Sequence, residues 1–242
     1  MQTAKLRACL GKDYEFIYVD APIASNAGPG MLPMFAGAGP YYSWFNVSEQ
    51  KREEEIMHIH GLIRAAITTI EAGGEAGAKA REVSGIMAFS QGAIVATMLL
   101  PQQQAGTLQR LPKLKYGILI CADYSNALMT CVKIPSAQRG DRGSPEQARL
   151  NFPSVHLHGT IDPHERKSRK LIDNHFHRSS CKVMWFNGSH QCPNAQSDCQ
   201  KASDLISSLE GSPTGLDEQD VKIFKSRYDN RQGELAVDSP IR

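Results

Sequence analysis

The sequence of 242 residues has no long apolar run and almost no net charge. No apolar stretch approaches the length that a membrane span needs, so we expect no membrane partner. The net charge is only +2, from 27 basic and 25 acidic residues, which argues against nucleic acid as a partner. Residues 1–7 lack the apolar stretch of a secretory signal, so we expect a cytoplasmic protein.

The six cysteines include no C-x-x-C pair. Cys192 and Cys199 stand close to His190, but their spacing fits no common zinc pattern. Histidine pairs two residues apart, at 58/60 and 175/177, fall in predicted helices, where such side chains point apart. We therefore expect reduced, structural thiols, and neither a metal nor a cofactor.

The apolar residues that are present, 41% of the chain, suffice for one domain with a sizeable core. Short apolar runs that mostly end at Gly, Asp or Pro predict buried strands, and amphipathic or apolar helices lie between most of them. This alternation predicts an α/β fold with a parallel sheet flanked by helices, in a domain over 1–211 and a polar tail over 212–242. The five predicted strands are 15–19, 83–89, 116–122, 154–158 and 182–186.

The most informative run is Phe89-Ser90-Gln91-Gly92, where a predicted strand turns at once into a helix. A serine between small residues at such a turn is typical of a nucleophile elbow, since its strained backbone tolerates no bulk two residues before or after. Ala88 and Gly92 meet that need. Ser90 is the predicted nucleophile, and the N–H of Gln91 at the helix N-terminus is the predicted oxyanion donor.

Two polar residues follow later strands and complete a catalytic pattern. Asp162 comes after strand 154–158 and His190 after strand 182–186. This is the chain order Ser, acid, His found in the fold that carries such a serine turn. His190 would take the proton of Ser90, and Asp162 would orient the imidazole. Asp123, after strand 116–122, is an alternative acid, but the G-T-x-D-P turn favours Asp162.

These residues resemble the fungal family of serine hydrolases often called the FSH1 family. The matching runs are F-I-Y-V-D-A-P from residue 16, G-P-Y-Y-S-W-F from residue 39, F-S-Q-G-A from residue 89, H-G-T-I-D-P from residue 158 and G-S-H from residue 188. The resemblance implies an α/β-hydrolase fold, a triad at Ser90, Asp162 and His190, and ester or thioester substrates. It further implies a place in fungal secondary metabolism, with an acyl chain that a polyketide synthase carrier domain could present.

The loop over 21–45 is long and apolar, so we expect it to serve the site. Its side chains are the predicted lining of a hydrophobic acyl pocket, and the alternative is ordinary packing over the sheet. The predicted lining residues are Met31, Tyr41, Tyr42, Trp44 and Phe45.

Two departures from the family pattern affect the expected activity. The pattern opens with a strand ending in Leu-His-Gly, whose loop gives a second oxyanion N–H, whereas residues 2–10 here read as the helix that follows it. The missing strand would lie between strands 15–19 and 83–89 and leave the sheet open there. Ala88 also stands where glycine is commoner. A non-catalytic binding or scaffold protein is therefore the second hypothesis, and a metal-dependent hydrolase is disfavoured.

Overall fold

The computed structural model describes residues 3–11, 14–28, 37, 39–46, 50–72, 83–104, 114–132 and 149–210. The predicted tail over 212–242 and the predicted pocket residue Met31 lie outside these residues. In chain order the elements are α1 (Ala4–Leu10), β1 (Ile23–Ser25), β2 (Tyr41–Ser43), α2 (Arg52–Ala72), β3 (Gly85–Phe89), α3 (Gly92–Gln104), β4 (Tyr116–Ile120), α4 (Asn126–Met129), β5 (Ser154–Gly159), α5 (Glu165–His175), a 3-10 turn (Arg178–Ser180), β6 (Cys181–Phe186) and α6 (Gln196–Glu210).

Four strands form a parallel sheet in the order β3-β4-β5-β6. Every residue of β4 and β5 is buried, as expected of parallel strands covered on both faces. β4 is apolar throughout, whereas β5 also buries Ser154, His156 and His158. Side chains alternate between two cores: Leu119 joins the cluster under α2 and α3, whereas Ile118 and Ile120 join the cluster under α1 and α6. The predicted α/β architecture is confirmed, with helices on both faces of the sheet.

The predicted strand over 15–19 is wrong. Residues 14–20 carry no strand assignment, and no described residue pairs with them as a β-ladder. The physical reason is that the segment is separated from β3 by a cavity of about 620 Å³, which both line, so their backbones form no ladder. The gap expected between these two runs is therefore present.

No described strand pairs with the outer edge of β3, and this open edge faces the cavity. Ser90 N–H donates to the Ile120 carbonyl, and Lys115 N–H donates to the Ser84 carbonyl. The N–H and C=O groups of successive residues point to opposite sides of a strand. The backbone groups of the even-numbered residues of β3 therefore point toward β4, and those of residues 85, 87 and 89 point toward the cavity. Apolar side chains from both helical layers, including Ile63 and Ile206, line the same space.

A small antiparallel ladder lies within the predicted loop over 21–45. β1 pairs with β2, with Ile23 opposite Ser43 and Ser25 opposite Tyr41. No strand was expected there, because the run is rich in glycine and proline. The ladder brings the aromatic residues after β2 back toward the main sheet. No described helix is long and apolar enough to cross a membrane.

Candidate active site

The turn between β3 and α3 holds Ser90 in a strained conformation. Its φ is +51°, in the left-handed region that residues other than glycine seldom adopt. Three hydrogen bonds fix this backbone: Ser90 N–H donates to Ile120 O (3.0 Å), and Ser90 O accepts from Ala93 N–H (3.0 Å) and Asp123 N–H (3.0 Å). The rigid turn raises the side chain above the carboxyl edge of the sheet, as a nucleophile elbow requires.

Small residues flank the serine, as the sequence pattern predicted. A Cβ added at Gly92 would lie 3.8 Å from the Ala88 Cβ, so the two positions face each other across the turn. The N–H of Gln91 has no acceptor among the described residues and stands at the beginning of α3. It is thus available, with the positive end of the helix, to a negatively charged oxygen beside Ser90.

His190 links the serine to the acid. Its Nε2 lies 2.8 Å from Ser90 Oγ, and its Nδ1 lies 3.0 Å and 3.1 Å from the two carboxylate oxygens of Asp162. The loops after β5 and β6 supply Asp162 and His190, because parallel strands deliver their carboxyl ends to one edge of the sheet. The structure therefore brings the three predicted residues together.

Asp162 is held in its charged form. Burial acts to raise its pKa, but the hydrogen bonds from His164 N–H and His190 outweigh burial and leave the pKa below its ordinary value. The carboxylate side chain is 1% exposed. Because an ionised Asp162 only accepts, His190 must carry its proton on Nδ1, which leaves Nε2 to accept from Ser90 Oγ–H.

Close packing fixes the loop that carries His190. The imidazole lies between the rings of Phe89 (5.1 Å between centroids) and His164 (5.2 Å). A Cβ added at Gly159 would lie only 2.4 Å from the Ser189 carbonyl oxygen, so the end of β5 approaches this loop as only glycine permits. Neither His164 nor Gly159 was recognised from the sequence as part of the site.

Cys121 is a further residue that sequence reasoning passed over. Its thiol donates to the Gln191 carbonyl (3.3 Å) on the loop of His190, and its backbone has a φ of +44°. Burial raises its pKa to about 12, so the group is a neutral thiol. Its position directly after β4, at the edge where Asp162 also lies, was the available signal.

The alternative acid, Asp123, has a different partner. Its carboxylate accepts from Lys167 Nζ at 2.7 Å and from Tyr124 N–H at 2.8 Å. Its backbone N–H supports Ser90, but no contact joins its side chain to His190 in the described structure. The geometry favours Asp162 as the orienting acid.

The predicted acyl-pocket residues occupy different environments. Trp44 is half-buried and borders the cavity beside β3, with its indole Nε1 3.5 Å from the position of a Cβ at Gly92. Phe45 is 5% exposed within the core, and the Arg52 guanidinium lies over its ring. Tyr42 is 52% exposed and Tyr41 is half-buried.

One group of side chains has metal-ligand chemistry. Ligand atoms of Cys121, Asp162 and His190 lie within 4.8 Å of one another. A metal here would require a thiolate from a group whose pKa is about 12 and would displace the His190 Nδ1–H from Asp162. The donors therefore suit the hydrogen-bonded triad better than a metal centre.

A serine on a strand–turn–helix, joined to a histidine and an aspartate from loops after later parallel strands, is the arrangement of an α/β-type serine hydrolase. Comparison with known proteins gives the same class. Residues 1–202 match the family described as serine hydrolase (FSH1). The chain belongs to that family.

Individual relatives cover most of the chain. It is 35% identical over 210 residues to the esterase mlcF of Penicillium citrinum, covering 83% of this chain and 80% of the relative. It is 35% identical over 211 residues to the dihydromonacolin L-[lovastatin nonaketide synthase] thioesterase of Aspergillus terreus, covering 82% and 81%. Among solved structures, it is similar to Zea mays acyl-protein thioesterase 2, with 17% identity, a TM-score of 0.40 and coverage of 74% and 77%.

Proposed function

We propose that the protein hydrolyses carboxylic esters or thioesters of a hydrophobic acyl group, with Ser90 as nucleophile. The observation that carries this proposal is the continuous hydrogen-bonded path from Ser90 Oγ through His190 to Asp162. Membership of a serine hydrolase family supports the same reaction.

The geometry supports a two-step mechanism. Ser90 Oγ attacks the acyl carbon while its proton passes to His190 Nε2, and the Gln91 N–H donates to the oxyanion. The C–O or C–S bond then breaks, and the protonated His190 gives its proton to the leaving group. In the second step His190 takes a proton from the water that attacks the acyl-Ser90 ester. The bond from the acyl carbon to Ser90 Oγ then breaks, His190 returns the proton to Oγ, and the carboxylic acid is released. Asp162 remains ionised and stabilises the imidazolium.

The substrate class follows from the surroundings of the site and from the relatives. The apolar cavity beside β3 reaches Phe89 and Gly92 on either side of the Ser90 turn and is bordered by Trp44, which favours a hydrophobic acyl chain. One relative is named as a thioesterase of lovastatin nonaketide synthase, and others are named as esterases of fungi. We extend this to a role in fungal secondary metabolism, in which a polyketide synthase carrier domain presents the acyl group. Six free thiols suit a reducing compartment, so we place the reaction in the cytoplasm.

A non-catalytic binding protein is the second candidate. Gln91 N–H is the one backbone group that we assign as an oxyanion donor, and an enzyme that loses one such donor typically slows by about 10²–10³. A protein that kept the triad for structural reasons would retain the same hydrogen bonds. Activity therefore has to be measured.

A fluorophosphonate probe separates the two candidates, because it reacts only with an activated serine. We expect labelling of the parent protein at Ser90, no labelling of Ser90→Ala and nearly none of His190→Ala. The exposed His177, which bonds Ser179, provides the matched control His177→Ala, which should label like the parent. Hydrolysis of p-nitrophenyl esters should follow the same order. Labelling that survives Ser90→Ala would show another nucleophile, and a folded parent that is never labelled would favour the binding protein.

A further inference from the structure

The side chain of Gln91 makes contacts that the hydrolytic mechanism does not use. Its Oε1 accepts from the backbone N–H of Trp44 at 2.7 Å and lies 3.0 Å from the hydroxyl of Ser43. The Ser43 hydroxyl also lies 2.9 Å from the Phe45 carbonyl, to which it can donate instead. Trp44 N–H is therefore the stronger of the two donors to Gln91 Oε1. One carboxamide thus joins the residue after the nucleophile to a segment 47 positions earlier in the chain.

These contacts connect a rigid element to a segment with little support of its own. The Ser90 turn is fixed by three backbone hydrogen bonds and by α3, so the Gln91 side chain begins from a defined position. The Trp44 segment instead follows a ladder of only three residues per strand. An isolated two-stranded ladder is marginally stable in water, so it depends on contacts to the main fold.

The position of Trp44 matters because its indole lies against the nucleophile turn. The ring borders the cavity together with Ala88 and Phe89, and its Nε1 approaches the Gly92 Cβ position at 3.5 Å. Phe89 and Gly92, on either side of Ser90 and Gln91, line the same cavity, so an acyl chain that ran from Ser90 into it would pass close to the indole. Moving Trp44 would therefore change the space available to an acyl chain at this end of the cavity.

We propose that the Gln91 side chain is a positioning residue that holds Trp44 against the Ser90 turn and thereby sets which acyl chains the site accepts. The part of this inference that concerns substrates rests on the proposed hydrolase function. The part that concerns the position of Trp44 does not, so the two can be tested separately.

Fluorescence tests the position of Trp44 directly. The chain has two tryptophans, so Trp185→Phe leaves Trp44 as the single reporter and keeps an aromatic ring beside His158. In that background, Gln91→Leu removes the acceptor at similar size, and Gln91→Glu retains an acceptor oxygen. We expect emission at longer wavelength and stronger acrylamide quenching for Gln91→Leu, with Gln91→Glu restored toward the parent.

A matched serine pair provides a second variant should Gln91→Leu fail to fold. Ser43→Ala removes a hydroxyl that reaches Gln91, whereas Ser25→Ala removes a hydroxyl of the partner strand that bonds only its neighbour, Asn26. Ser43→Ala should shift Trp44 fluorescence in the direction of Gln91→Leu by a smaller amount. Ser25→Ala should give the parent spectrum.

Kinetics test the consequence for substrates. Across p-nitrophenyl esters from acetate to decanoate, we expect Gln91→Leu to raise KM increasingly with chain length, with a loss in kcat/KM on the order of tenfold for the longest chain relative to the shortest. The inference would be overturned if Gln91→Leu left the Trp44 fluorescence and the chain-length profile at their parent values. An unlabelled Ser90 with shifted fluorescence would refute the hydrolase function and uphold the positioning role of Gln91.

Discussion

Replacing Asp162 with asparagine tests the orienting role of the acid most sharply. Oδ1 accepts the backbone N–H of His164 at 2.8 Å and lies 3.1 Å from His190 Nδ1, whereas Oδ2 lies 3.0 Å from His190 Nδ1 and takes no bond from His164. In Asp162→Asn the amide oxygen will stay with the His164 N–H, because that partner can only donate. The amide NH₂ then takes the place of Oδ2 and donates to His190 Nδ1.

This exchange forces the imidazole proton onto Nε2, 2.8 Å from Ser90 Oγ, where an acceptor is needed. Nothing then takes the serine proton, although the shape of the site is unchanged. A wrong tautomer of this kind costs up to about 10⁴ in kcat, or about 5 kcal/mol in the barrier. KM should change little, because neither group contacts the acyl chain.

Asp123→Asn is the matched control, since Asp123 was the alternative acid and pairs with Lys167 on the surface. Surface ion pairs contribute little, so we expect a loss of less than about tenfold in kcat. Steady-state kinetics on a p-nitrophenyl ester, with circular dichroism to establish folding, measure both variants. Equal losses in the two variants, or a folded Asp162→Asn with parent kcat, would refute the assignment.

Two further outcomes are expected. Gly159→Ala must displace the His190 loop, since its Cβ would lie 2.4 Å from the Ser189 carbonyl oxygen, and kcat should fall about 10²-fold. The control Gly61→Ala has open space around its Cβ and should be slightly more stable than the parent. Equal activity of the two variants would contradict the role of Gly159. Burial lowers the pKa of His156 well below its ordinary value and that of His175 to about 4, whereas unfolded histidine titrates near 6.5. The unfolded chain therefore binds more protons below about pH 6.5, so the urea midpoint should be highest above that pH and fall toward pH 4; a flat profile would show these groups to be exposed.

Much of the sheet could be predicted because its strands are buried on both faces. The run that became β4 is apolar throughout, and burial of this kind leaves a local pattern in the sequence. The Ser90 turn was predictable for a similar reason, since strain at one residue demands small neighbours at fixed spacing. Asp162 and His190 followed from their places after strands.

The segment over 14–20 shows what such patterns omit. Its apolar residues favour a strand, but a strand also requires a neighbour to accept its hydrogen bonds. That neighbour is a property of the tertiary structure. The Gln91–Trp44 contact and the thiol of Cys121 under the triad were not predictable for the same reason, because each joins residues far apart in the chain.

The open edge of β3 also affects how copies of the protein behave toward one another. Unpaired strand edges are templates for aggregation when another chain can reach them. Here the edge is recessed: helices border it on both faces, and the segment over 14–20 covers its third side. That cover packs Phe16 and Val19 against the two cores, and Tyr18 OH lies 2.8 Å from Thr3 Oγ1, with Arg7 of α1 over the Phe16 and Tyr18 rings. These contacts protect against edge-to-edge association, and conditions that release the segment would expose an unpaired strand edge to other copies.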